Sequence, residues 1–166
     1  GSFYASGNNL IPLQETDISL KKELLCFYVR DFKYMQVDVN FEFFNPGAEK
    51  KLTVGFVTPP AGGDVTEEDM EHPSITDFTV VFNGVELEYK MKRMSETSFS
   101  SKTKINGDDF VYYFDVVFKP GLNTIKHNYI YKAGSTVELQ RTFDYQITTG
   151  KRWANKRIDD FELQVH

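Results

Sequence analysis

The run Tyr34 to Pro46, YMQVDVNFEFFNP, leaves this chain little choice of fold. Met35, Val37, Val39, Phe41 and Phe43 fall on one parity, and Gln36, Asp38, Asn40 and Glu42 on the other. A period of two puts these sets on opposite faces of a strand. Val and Phe suit a pleated surface, so propensity agrees with pattern. Asn45-Pro46-Gly47 ends the run, because Pro fixes φ and lacks an N–H while Gly tolerates positive φ. A long strand with one apolar face needs neighbouring strands and a second layer over it.

Similar alternation recurs along the chain. Asp17 to Arg30 reads as a strand whose apolar face changes sides, which implies a bulge near Glu23-Leu24 or a strand covered on both sides toward its end. Leu10, Ile11 and Leu13 around Pro12 read as an edge segment. Leu52 to Val57 alternates and stops at Thr58-Pro59-Pro60. Ile75 to Tyr89 carries Asn83-Gly84 between alternating runs, the signal of a type I′ hairpin. Met91 to Lys104 is polar, a long loop or weak edge strand. Phe110 to Phe118 is apolar on both parities, as in a central strand covered on both faces or one seated where the core is thickest. Leu122 to Tyr131, Val137 to Thr148 and Ile158 to Val165 complete the set, and one short helix is expected near residues 66–72. These are the marks of an all-β fold, an antiparallel β-sandwich or otherwise a β-barrel, in one domain over 1–166.

Composition narrows the function. A net charge of −5 and a pI near 5.2 argue against a nucleic-acid binder. The single cysteine, Cys26, excludes an internal disulfide framework and reads as a buried packing thiol. No apolar run is long enough for a transmembrane helix. Gly1-Ser2 reads as the remnant of a tag with the leader cut away. The close on FELQVH reads as a boundary ahead of a further domain, which makes the chain the N-terminal module of a longer exported protein.

No catalytic signature is visible, and no cofactor is called for. His72, His127 and His166 are too scattered for a zinc site, which leaves them as surface or half-buried residues. Asp64, Glu67, Glu68, Asp69 and Glu71 read as a solvated helix start rather than a calcium loop. An acid pair for glycoside hydrolysis has too many candidates (Asp38, Glu42, Asp115, Asp144, Asp159, Asp160), all at positions normal for the wet face of a sheet. The binding candidate is the loop of Lys151, Arg152, Trp153, Lys156 and Arg157, where a tryptophan among cations would stack on a sugar or anchor a protein. The competing reading folds Trp153 back as a plug over the sandwich end. Tyr129 and Tyr131 would extend a stacking platform if exposed. A lipid-carrying barrel is a further reading, and it predicts an apolar cavity.

Several segments in order carry a resemblance: Phe41 to Gly47, VGFVTPP at Val54 to Pro60, DFTVVFNGVELEY at Asp77 to Tyr89, and FDYQITTGKRWANKRIDDFEL near the end. Together they resemble an uncharacterised exported bacterial β-rich domain found upstream of the small YARHG domain. The resemblance implies a secreted or periplasmic domain, anchored at the cell envelope in some arrangements. It implies no activity. The resulting expectation is a non-catalytic extracytoplasmic module that binds an envelope protein or plays a structural part. A carbohydrate-binding module or, behind it, a hydrolase is the alternative.

Overall fold

Ten strands carry the fold among the described residues: β1 (Asn9–Pro12), β2 (Ser19–Val29), β3 (Tyr34–Asn45), β4 (Lys50–Thr58), β5 (Ile75–Phe82), β6 (Val85–Glu86), β7 (Lys90–Arg93), β8 (Phe110–Phe118), β9 (Gly121–Lys132) and β10 (Asp160–Val165). The structure, a computed structural model, describes residues 9–12, 16–29, 34–58, 72–73, 75–98, 107–132, 153 and 160–166. The helix expected near 66–72 and the strand expected at 137–148 lie outside the described residues, apart from His72.

The strands form two packed sheets, ordered β1-β4-β8-β7 and β10-β2-β3-β9-β5-β6. The fold is a β-sandwich, and among the described residues no closed barrel forms, so the barrel alternative falls and with it the lipid-carrying barrel. Alternation along β3 is as the sequence dictates, with its odd residues from Met35 to Phe43 buried. The central pairs β2–β3 and β3–β9 are antiparallel over their whole lengths.

Between the sheets lies an aromatic core. Phe41, Phe43, Phe56 and Phe118 are wholly buried, each worth about 1.5–3 kcal/mol of burial. Rings meet across the layers at 5.1 Å for Phe56–Phe78 and 5.7 Å for Phe43–Phe118. Strand β8 is apolar on both parities for a local reason. Its even residues from Tyr112 to Phe118 join this core, while Val111 packs on the opposite face with Val57 and Met94.

At one end of the sandwich the chain crosses between sheets after β3 and again before β9. Asn45 holds the first crossing, donating from Nδ2 to the carbonyls of Ala48 (2.9 Å) and Phe118 (3.2 Å). Asn123 holds the second, accepting from the amide of Lys119 and donating to the carbonyls of Lys119 and Gly121. Gly121 has φ of 88°, a backbone that glycine adopts freely. The Asn83-Gly84 hairpin also forms as expected, with φ of 46° and 84°.

Two expectations need correction. The bulge in β2 falls between Leu20 and Lys22, not near Glu23-Leu24. One extra residue there flips the following side chains, so Glu23, Leu25 and Phe27 face inward after Ile18 and Leu20. The last strand is also not antiparallel. β10 lies parallel to β2, from Asp160 beside Lys22 to Val165 beside Phe27.

Candidate functional site

Trp153 is a core residue. Its ring is 1% exposed and lies 4.4 Å from Phe43, and Nε1 donates to the carbonyl of Leu10 at 3.1 Å. The plug reading is therefore the one that matches its position, and the ring is not presented for stacking. Lys151, Arg152, Lys156 and Arg157 lie outside the described residues. Tyr129 and Tyr131 are buried too, a correction to the platform proposed for them, because they share the inward parity of Ile125 on β9.

Among the described residues the candidate carboxylates do not converge. Asp38 and Glu42 lie on the outer face of β3. Asp115 is on the outer face of the other sheet, where it accepts from the Thr53 hydroxyl at 2.6 Å and faces Lys51 at 3.7 Å. Asp160 sits beside Lys22 at 4.0 Å. Asp144 and Asp159 are outside the described residues. Among the described residues no group of three or more His, Cys, Asp or Glu could hold a metal ion.

Register does assemble a surface on the outer face of the six-stranded sheet. One row runs Tyr28–Gln36–Ile130 across β2, β3 and β9. The next runs Gln164–Cys26–Asp38–Asn128–Thr79 across five strands. At the end of β10, His166 stacks on Tyr28 with centroids 4.9 Å apart and planes 12° apart, and its amide donates to the Phe27 carbonyl. Tyr34, 47% exposed, is two residues from Gln36 on the same face of β3. Gln36 donates to Asp38 and the Thr79 hydroxyl donates to Asn128, so these polar groups are held in place. The surface thus joins partly exposed rings to a band of amides, a hydroxyl and one carboxylate. The alternation of β3 and β9 contained this face; its rows required the register, which no single strand encodes.

Inside the sandwich, besides Tyr129 and Tyr131, are a histidine and a carboxyl that the sequence did not place there. His127, expected at the surface or half-buried, is 2% exposed. It is ringed by Phe56 (4.6 Å), Phe41 (5.1 Å), Phe78 (5.5 Å) and Tyr129 (5.9 Å). Neither ring nitrogen has a hydrogen-bond partner among the described residues, and burial pulls its pKa down to about 3. Glu23 is 1% exposed and likewise lacks a partner for either oxygen among those residues. Burial holds its carboxyl well above the usual range, as an uncompensated charge there would cost several kcal/mol. Tyr129 is pushed up by burial first and by the nearby Glu23 second.

No family model matches the chain, and no curated protein matches it. Among solved structures the sandwich resembles a "putative nutrient binding protein" of Legionella pneumophila subsp. pneumophila str. Philadelphia 1. The TM-score is 0.59 and the identity 19%, over 75% of this chain and 42% of that one. The likeness shows a shared fold, and the chain spans less than half of that protein's length. An M1 zinc metallopeptidase of Deinococcus radiodurans overlaps 74% of this chain and 21% of its own, with a TM-score of 0.38 and 9% identity. That overlap is too slight to bear on activity.

Proposed function

We propose that this chain is a non-catalytic, extracytoplasmic binding module whose ligand surface is the outer face of the six-stranded sheet. The observation that carries the reading is the row of side chains fixed there by register, with Tyr28, His166 and Tyr34 beside Gln36, Asp38 and Asn128. Aromatic faces receive the apolar side of a sugar ring, and amides with a carboxylate match its hydroxyls. A glycan of the bacterial envelope is therefore the occupant favoured. The extracytoplasmic setting rests on the sequence resemblance to exported β-rich domains. Scattered carboxylates on opposite faces support binding over hydrolysis.

Affinity measurements against envelope glycans, with Tyr34→Ala beside the parent chain, test the proposal. Expected is binding to at least one glycan class that weakens tenfold or more in the variant while the melting temperature holds. Absence of glycan binding by the parent chain, or binding indifferent to Tyr34 and Tyr28 substitution, would overturn it in favour of a protein partner or a structural role.

A further inference from the structure

Glu23 sits on the inner side of the sheet, where β10 flanks β2. Its neighbours in register are Phe41 on β3 and Phe161 on β10. With no hydrogen-bond partner among the described residues, and with burial raising its pKa well above the usual carboxylate range, Glu23 is biased toward the neutral acid while β10 is docked. β10 is also lightly held. Among the described residues it is the outermost strand of its sheet. Phe161 and Leu163 are only partly buried against the core, and Val165 is 59% exposed. Strands with so little buried apolar area open at lower cost than central ones. Opening would bring water to Glu23 while β2, β3 and β9 stay paired.

We propose that Glu23 is a protonation-controlled latch for β10. As a neutral acid it permits docking on β2, and its ionisation favours release.

Among the described residues, the groups facing Glu23 from the strands packed around it do not supply the same response between pH 5 and 8. β3 turns Val39, Phe41 and Phe43 inward, and β10 turns Phe161 and Leu163 toward the core. The titratable groups on the inner face of β9 are His127, neutral down to about pH 3, Tyr129, whose pKa is raised, and Tyr131. On the outer side lie the exposed Lys22–Asp160 pair and Glu162, in water whether or not β10 is docked. Cys26 beside Gln164 has its thiol pushed up by burial, then by Asp38 and Glu162, so it titrates above this range.

Hydrogen exchange of the full chain tests the latch, comparing β10 with β9 from pH 5 to 8 after correction for intrinsic rates. One proton lost per opening lowers β10 protection by up to about tenfold per pH unit. Protection in β9, lost through global opening, responds to Asp109 as well, so the diagnostic is the β10 slope, which Glu23→Gln should abolish. A flat β10 profile in the parent chain, or an equal slope in Glu23→Gln, overturns the proposal. If Glu23→Gln does not fold, Glu23→Met takes its place, and the parent profile alone can still refute the latch.

Discussion

Trp153 donates from its indole nitrogen to the main-chain carbonyl of Leu10, 3.1 Å away, and so fastens a residue late in the chain to its first described strand. The ring also packs between the sheets against Phe43 and Phe118, at 4.4 and 6.5 Å. Replacing it with alanine is expected to cost about 3–5 kcal/mol, the range for large buried aromatics. Trp153→Phe keeps most of the packing but leaves the Leu10 carbonyl unpaired, so about 1–3 kcal/mol is expected. Urea unfolding of both variants checks the order. Equal stability of Trp153→Ala and the parent would remove Trp153 from the core.

His127 sets an acid limit. Its folded pKa, about 3, lies below the ordinary 6.5, so between those values the unfolded chain takes up a proton that the folded one refuses. Stability on this account is intact above pH 6.5 and declines as pH falls toward 3, by at most about 1.4 kcal/mol per pH unit. His127→Phe is expected to flatten that decline. Chemical denaturation at pH 7 and pH 4 would show it as a gap between variant and parent that widens on acidification.

Asp109 acts in the opposite direction. It is buried before β8, where its carbonyl accepts from the amide of Met94, and Oδ2 has no partner among the described residues. Burial first, and Asp108 second, push its pKa from 3.8 to about 7. Stability is intact below pH 3.8 and is lost as pH rises through about 7. Asp109→Asn should therefore gain on the parent between pH 4 and 8 in thermal melts. A constant difference across that range would count against a buried, neutral Asp109.

Backbone strain separates two glycines. Gly84 has φ of 84° and open space around a would-be Cβ. Gly84→Ala should thus cost about 1 kcal/mol or more through the backbone alone. Gly47 needs no positive φ, and a Cβ there meets Asp17 and Asn45 at ordinary contact distances of 3.6 and 3.8 Å. Gly47→Ala should stay within about 0.5 kcal/mol of the parent. Paired melting curves decide between these outcomes.

The sandwich was legible wherever alternation ran unbroken, as in β3, or where turn chemistry was explicit, as at Asn83-Gly84. Glu23 escaped because a single extra residue near Lys21 reverses every later side chain of β2, and parity counted from Ile18 places it outside. His127, Tyr129 and Tyr131 were legible in principle. They share the inward parity of Ile125, yet their polar tips suggested the surface. The parallel docking of β10 had no local signal, since strand direction at a sheet flank depends on where the chain returns. The rows of the outer face were hidden for the same reason: they combine strands distant in sequence.

The pairing of Tyr34 with Lys132 at one end of β3, and of Asn45 with Gly121 at the other, has a consequence for synthesis. A ribosome releases β3 long before β9 exists, so the nascent chain exposes one long side of its central strand until the later partner emerges. Truncated products ending before Gly121 would carry that unpaired side permanently, and they are the species most prone to clump.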